Sequence, residues 1–322
     1  MPVDAAYSSR PLVLDDAPEV TGVVAAAERA EPADENFTLE EIREELTLPG
    51  VELRRHSVGW FEGVTLVGYG MLHIRPSADV WTAYLSGAVH PAHQRRGLGS
   101  AIVSELADRA RELRDQAQPT LPGELKIWIP STRTGTAAMS TALGFETWRW
   151  YYRMRRPLDV HVPPPHVPSG IELRAYRPGD EEAVRLARNA SFADHWGSTP
   201  TDPEHWHATF EASPSFRPSL SRVAVAEDGT VAAFVMILEF AGDTEFRGYR
   251  TAWVQLVGTV REARRAGLAS ALLLDSLADQ AADGYRYSEL GVDAESPTGA
   301  GRIYERLGFV TIERNREMGR RF

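Results

Sequence analysis

Two segments of this sequence carry residue types suited to a phosphate group: Gln94-Arg95-Arg96-Gly97-Leu98-Gly99 and Arg264-Arg265-Ala266-Gly267-Leu268-Ala269. Glycine removes the Cβ that would hold a ligand away from the backbone, and the arginines supply charge and donors for phosphate oxygens. Each segment stands where a β-prone run ends and a helical pattern begins. The unpaired N–H groups of a helix's first turn would then face an anion. One such segment alone is more often a tight turn with solvated arginines; two in matched settings favour binding. Gly97 and Gly267 stand 170 positions apart, and the glycines of Leu143-Gly144-Phe145 and Leu307-Gly308-Phe309 stand 164 apart, the signature of a duplicated domain. Neither segment is a Walker loop, because no Gly-Lys-Ser/Thr follows.

Periodicity and punctuation outline the elements that hold these segments. In the first half a short strand is expected at 12–14, and Asp15-Asp16-Ala17-Pro18 starts a helix to about residue 30. Thr38-Leu39-Glu40-Glu41 is a capping-box pattern opening a second helix. Runs 51–58 and 64–74 predict an antiparallel hairpin, and 81–89 a third strand. The first glycine segment opens a helix over about 97–114, with Leu98, Ile102, Leu106, Ala110 and Leu113 on one face. A strand at 125–129, a helix at 134–143 and a strand at 145–154 follow. Pro157, Pro163, Pro164, Pro165 and Pro168 mark 156–170 as an extended linker. The second half replays the order: strand 171–176, a helix from Pro178-Gly179-Asp180-Glu181, a capping-box pattern at Thr201-Asp202-Pro203-Glu204, and a hairpin of 221–226 and 230–240 around Asp228-Gly229. Strand 253–260, helix 267–282, strand 287–292, helix 298–307 and terminal strand complete it. The expected domains are 1–155 and 171–322, each a mixed, mostly antiparallel sheet flanked by helices, of α/β (α+β) class.

A length of 322 residues suits two such domains, each with its own core. With 43% apolar and 25% charged residues the composition is that of a globular protein. The absence of cysteine excludes disulfides, thiolate metal sites and a cysteine nucleophile. No metal is expected, since His205 and His207 diverge on a helix. A net charge of −10 weighs against nucleic acid as a partner. Lys126 is the one lysine in a basic set otherwise made of arginine, a compositional bias that says little about function. Residues 1–10 lack a basic segment followed by an apolar core, and the apolar run 231–238 is far short of a membrane span, so a cytoplasmic protein without a membrane partner is expected.

Gln94-x-x-Gly97-x-Gly99 and Arg264-x-x-Gly267-x-Ala269 resemble the acyl-CoA pyrophosphate loop, Gln/Arg-x-x-Gly-x-Gly/Ala, of the GNAT acetyltransferases. The element order of both halves is similar to that fold outside the linker, and Val292 to Ala300 with Ile303-Tyr304-Glu305-Arg306-Leu307-Gly308-Phe309 resembles the late GNAT motif. The resemblance implies two tandem GNAT folds and acetyl-CoA as acyl donor. It also implies that the strand before each loop splays from its neighbour and pairs with the pantetheine arm, at Gly87, Ala88 and Val89 in the first half and at Val257, Gly258 and Thr259 in the second. The pyrophosphate would rest on Arg95, Arg96, Gly97, Leu98, Gly99 and Ser100, or on Arg264, Arg265, Ala266, Gly267, Leu268, Ala269 and Ser270. An N–H of the splayed strand would polarise the thioester carbonyl.

Direct transfer of acetyl to an amine requires a neutral nucleophile and a proton for the departing thiolate. In many GNAT enzymes a tyrosine four residues before the glycine of Leu-Gly-Phe supplies that proton. Tyr304 holds the position in the second half; Ser140, a far poorer acid, holds it in the first. The second half is therefore expected to be catalytic and the first not. The family's usual glutamate base would fall at Ala83 and Trp253, so Glu239, at the end of the preceding strand, is the substitute candidate. Phe192, His195, Trp196 and Gln255 are the expected acceptor-binding residues, rings with a few polar groups. The reading is an acetyl-CoA-dependent N-acetyltransferase acting on a primary amine of a small molecule. A pseudo-acetyltransferase that binds acetyl-CoA for structure or regulation stands beside it. So does acetylation of a cysteinyl amine on a sugar–inositol scaffold, as a tandem member performs, although Trp253 replaces an acidic residue there. The oligomeric state is left open.

Overall fold

Apolar faces and their punctuation gather the chain into two compact units, Met1–Trp150 with Arg314–Phe322, and Tyr151–Glu313. The computed structural model describes residues 3–33, 36–75, 77, 79–193, 198–296 and 299–322.

The first unit runs β1 (Tyr7–Arg10), α1 (Ala17–Ala30), α2 (Leu39–Leu46), α3 (Leu53–His56), β2 (Ser57–Glu62), β3 (Thr65–Ile74), β4 (Trp81–Val89), α4 (Leu98–Ala117), β5 (Gly123–Ile129), α5 (Thr134–Ala142) and the start of β6 (Glu146–Pro157). Its sheet has the order β1-β2-β3-β4-β5 and then residues 316–321, which pair antiparallel with β5. Every pairing is antiparallel except β4 with β5. The period-2 faces of β3 and β4 divide the core. Leu72, Ala83 and Leu85 meet Ile102, Leu106 and Ala110 of α4, while Tyr69 and Met71 meet Val20 and Val23 of α1 and Ile42 of α2. The capping box at α2 forms as expected: Thr38 Oγ1 accepts from Glu41 N–H at 3.2 Å, and the Glu41 carboxylate accepts from Thr38 N–H at 2.8 Å.

The second unit takes residues 151–157 of β6, then β7 (Ile171–Ala175), α6 (Glu181–Ser191), α7 (Pro203–Thr209), β8 (Arg222–Ala226), β9 (Val231–Leu238), α8 (Ala241–Arg247), β10 (Thr251–Thr259), α9 (Leu268–Ala282), β11 (Tyr287–Asp293), α10 (Ala300–Arg306) and the start of β12 (Val310–Arg321). Its sheet order is residues 151–157, then β11-β10-β9-β8-β7, with β10 and β11 the parallel pair. Leu268, Leu272 and Leu277 of α9 pack on Ala233, Val235 and Leu290 of the sheet.

Four expectations are corrected. The strand expected at 12–14 forms at Tyr7–Arg10, and residues 14–16 make a 3-10 turn instead. Residues 53–56 are a helical turn rather than strand, because Ser57 Oγ donates to Leu53 C=O at 2.6 Å and His56 Nδ1 accepts from Glu52 N–H at 3.0 Å, local bonds that compete with a ladder. At α7 the cap is Asp202, whose carboxylate accepts from His205 N–H at 2.8 Å, not Thr201. The units also divide inside β6, not at the proline segment: Phe145 packs in the first unit's core, whereas Met154 and Leu158 pack in the second's.

The duplication extends to side chains that periodicity does not flag. Arg10 clasps Asp16 through both terminal nitrogens at 2.7 and 2.8 Å, and Arg174 clasps Asp180 at 2.6 and 2.7 Å. Each aspartate also accepts a backbone N–H, from Val13 or Arg177, at the start of the chain's approach to α1 or α6. Burial by itself would raise these carboxyls, but the hydrogen bonds outweigh it and hold both below the ordinary aspartate range.

Candidate active sites

Both glycine loops take the same backbone shape. Arg95 (φ 63°) and Gly97 (φ 86°) in the first copy, and Arg265 (φ 69°) and Gly267 (φ 81°) in the second, alternate left-handed residues. Among the described residues Arg95 and Arg265 are the only non-glycines with positive φ. Alternation of this kind turns successive N–H groups toward one point. The glycines are the N-caps of α4 and α9, so the free N–H groups of those first turns join the cradle. At Gly267 a Cβ would meet no protein atom within 4 Å, leaving open space in front of the loop.

The strand before each loop splays as expected. β4 and β5 pair from Trp81↔Gly123 to Leu85↔Ile127 and then part, although β4 continues to Val89 and β5 to Ile129. β10 and β11 pair from Thr251↔Tyr287 to Val254↔Leu290 and part likewise. The freed edges are 86–89 and 255–259, which include the expected Gly87, Ala88, Val89, Val257, Gly258 and Thr259. In β10 the parting coincides with a bulge at Gln255, between the pairings of Val254 and Leu256 with β9. Gly87, with φ 152°, lies so close to β3 that a Cβ would stand 2.3 Å from Tyr69 O.

In the first unit these features line one cavity of about 610 Å³. Its wall combines Arg95, Gly97, Leu98, Gly99 and Ser100 of the loop, residues 86–89 and 127–130 of the splayed strands, and side chains of α1 and α2. Arg96 is not on that wall; its guanidinium donates to Tyr7 Oη at 2.8 Å, and the same hydroxyl meets His93 Nδ1 at 3.0 Å. Glu45, Ser86 and Trp128 on the wall escaped the sequence reading, because each stands in an element without motif character. At the second loop the concavity is shallow and bounded by Arg261, Arg264 and Arg265. Arg264 ties the loop to the scaffold by donating to Ser191 C=O at 3.1 Å.

Tyr304 is 8% exposed and belongs to the cluster that contains Leu268 at the start of α9 and Val292 at the end of β11, with Val257 of the freed edge packed against it. Tyr304 thus shares one core cluster with the start of α9 and the freed edge of β10. Its ring stands edge-on to Phe309 at 6.0 Å, and burial pushes its pKa up to about 12, so the proton stays on oxygen. Ser140, its counterpart in the first unit, is fully buried and its hydroxyl has no hydrogen-bond partner.

Glu239, the expected base, is instead bound on both of its oxygens. Its carboxylate accepts from Arg217 Nε at 2.8 Å, from Arg250 Nε and Nη2 at 2.8 and 2.9 Å, and from Tyr285 Oη at 2.5 Å. Burial would raise its pKa, but the bonds from Arg250, Tyr285 and Arg217 overcome this and hold it at about 2. It also follows β9 at the end where Leu238 pairs with Trp253, near the start of β10 and away from the loop. Across from Trp253 in register stands Glu289, fully buried and gripped by Arg153 at 2.5 Å, Arg155 at 2.6 Å and Arg247 at 3.4 Å. Trp253 Nε1 donates to Gln255 Oε1 at 2.8 Å. Phe192 lies under the Arg188 guanidinium at 5.3 Å, at the margin of the α6–α7 cluster. His195 and Trp196 lie outside the described residues.

The left-handed arginines make a separable prediction. A non-glycine in this region costs about 1 kcal/mol. Arg265→Gly is expected to gain about that much stability in thermal denaturation, while calorimetric titration shows acetyl-CoA bound several-fold more weakly at this loop, since a cation beside the phosphates is gone. Arg265→Ala loses the affinity without the gain. Equal stability of the glycine and alanine variants would refute the strain.

The profile of the Acetyltransferase (GNAT) family matches residues 22–119 and 182–309. A mycothiol acetyltransferase of Salinispora tropica is 32% identical over 312 residues, spanning 92% of this chain and 91% of that one. Among solved structures, a GCN5-related N-acetyltransferase from Sphaerobacter thermophilus superposes with TM-score 0.77 at 26% identity, covering 99% of this chain and 97% of that one. A tandem GNAT protein from the clavulanic acid biosynthesis pathway shares the fold, with TM-score 0.74 at 20% identity and 98% of each chain covered.

Proposed function

Because the chain belongs to the acetyltransferase (GNAT) family in both of its halves, we propose that it is an acetyl-CoA-dependent N-acetyltransferase that acetylates a primary amine of a small molecule in its second half. The observation that carries the choice of half is Tyr304, held protonated in one cluster with the start of α9 and the freed edge of β10. Pyrophosphate rests on the cradle of Arg265 and Gly267, and the pantetheine arm takes the edge at 257–259. The amine nitrogen attacks the thioester carbon, forming the N–C bond. An N–H of the freed edge stabilises the oxygen's developing charge. As the C–S bond breaks, the thiolate takes the phenolic proton of Tyr304, the nitrogen gives its own proton to water, and the phenolate regains a proton from solvent. With Glu239 and Glu289 both committed to arginines, the amine must arrive neutral or lose its proton to solvent.

The likeness to mycothiol acetyltransferases favours one acceptor in particular, a cysteinyl amine on a sugar–inositol scaffold. Trp253 and Gln255, joined at the bulge, are the residues of this chain that face that choice. No helix among the described residues is long and apolar enough to cross a membrane, and the reading places the enzyme in the cytoplasm with its acetyl-CoA. The test is thiol release from acetyl-CoA with a panel containing that cysteinyl conjugate, an aminoglycoside and simple amines. Turnover of the conjugate at least tenfold above the others establishes the narrower reading. CoA binding without turnover of any member leaves only a binding protein.

A further inference from the structure

The first unit, which lacks a tyrosine acid, nevertheless holds an imidazole at its splay. Ser86 is the first residue of β4 beyond the last β4–β5 pair, so it stands where the strands part, and it lines the 610 Å³ cavity. His73, on β3 and diagonal to it across the β3–β4 ladder, places Nε2 at 3.1 Å from Ser86 Oγ. The same nitrogen lies 3.4 Å from Glu45 Oε1 of α2, and Glu45 also lines the cavity. Both side chains are reachable by solvent, at 21% and 31% exposure, unlike the arginine-bound carboxylates of the second unit. A hydroxyl and a carboxylate thus meet at one imidazole nitrogen beside a cavity that also contains a complete phosphate cradle.

We propose that the first unit is a second acyl-transfer site, in which Ser86, His73 and Glu45 relay a proton from an amine acceptor. With its own proton on Nδ1, His73 accepts at Nε2 from Ser86 O–H. The amine nitrogen attacks the thioester carbon; its proton passes to Ser86 Oγ as the hydroxyl proton passes to His73 Nε2, and Glu45 becomes the counter-ion of the imidazolium. The C–S bond breaks and the thiolate leaves for solvent, where it is protonated. A thiol, with a pKa of about 8.5, leaves as thiolate far more readily than an alcohol leaves as alkoxide, so loss of the acid is tolerable where the base is good. The helical side of the cavity, from α1 to α2, names the substrate class. Val24, Ala27 and Phe37 are apolar, while Glu31 and Glu45 are acidic, a combination that selects an amine carried on an aromatic or aliphatic body. This site is independent of the second half's chemistry.

The test uses the full chain carrying Tyr304→Phe, with acetyl-CoA and tryptamine, tyramine or putrescine as probes. Turnover of at least one probe above the uncatalysed rate is expected. His73→Gln in that background lowers kcat about a hundredfold, with the amine KM and the calorimetric acetyl-CoA affinity of the first unit unchanged. Ser86→Ala falls similarly and Ser86→Thr recovers most of the rate, a pattern that a merely structural histidine would not give. Absence of turnover with all three probes, or turnover indifferent to His73→Gln, overturns the proposal. The second half is read separately, from the ratio of the unmodified chain to Tyr304→Phe with the cysteinyl conjugate, so the two readings stand or fall apart.

Discussion

Tyr304→Phe is expected to lower kcat for the second half's acceptor by about 10²–10³-fold while leaving acetyl-CoA affinity within about twofold. The substitution removes one oxygen from a ring that packs against Phe309 and shares a cluster with Leu268 and Val292, so the volume of the cluster is kept. What is lost is a donor used only as the C–S bond breaks, an interaction of the transition state and not of the bound donor. With its pKa pushed up to about 12, the phenol keeps its proton across the whole working range, and the kcat profile should show no acid limb from it below about pH 11. Thiol release and calorimetry on the purified variant decide the matter. A kcat within threefold of the unmodified enzyme would remove Tyr304 from the chemistry.

The second large effect concerns stability. Glu239→Gln should cost about 3 kcal/mol near neutral pH, because Arg217, Arg250 and Tyr285 lose the carboxylate on which they converge. The sign of the pH dependence follows from the folded pKa of about 2, below the ordinary 4.5. Each unit of depression is worth about 1.4 kcal/mol. The stabilisation is fully present above pH 4.5 and is lost as pH falls from there toward 2. Thermal denaturation should therefore show the two proteins far apart at pH 7 and converging near pH 2, with kcat at moderate temperature little changed. A constant gap down to pH 2, or a collapse of kcat without loss of stability, contradicts the structural role assigned to Glu239.

Glu239 also marks where a sequence stops being informative. Its place after an apolar strand is what a catalytic carboxylate would occupy, and nothing local distinguishes it from one. The deciding partners, Arg217, Arg250 and Tyr285, are 22, 11 and 46 positions away. The glycine loops were legible because their requirement is local: a left-handed backbone at Gly97 and Gly267 and a helix start beside it. The splay of β4 and β10 followed from resemblance alone, since no residue type announces where two strands stop pairing. His73, Glu45 and Ser86 were invisible for a further reason. A histidine on β3, a glutamate on α2 and a serine on β4 each pass as surface residues until the register brings them together. The paired Arg10–Asp16 and Arg174–Asp180 clasps lie in short polar stretches without periodicity, although they repeat at the spacing of the Leu-Gly-Phe landmarks.

The membership of residues 316–321 in the first unit's sheet bears on how the protein is made. β5 is left with an open edge until those residues pair with it, and Phe322 then closes the ladder by exchanging backbone bonds with Gly123. Residue 314 leaves the ribosome 164 positions after residue 150. At about 5–20 residues per second that is a wait of roughly 8–30 s. Through this interval the nascent first unit presents unpaired N–H and C=O groups along β5, the kind of open edge that templates pairing with another chain. Synthesis order and folding order are thus opposed, and the half made first is the half completed last.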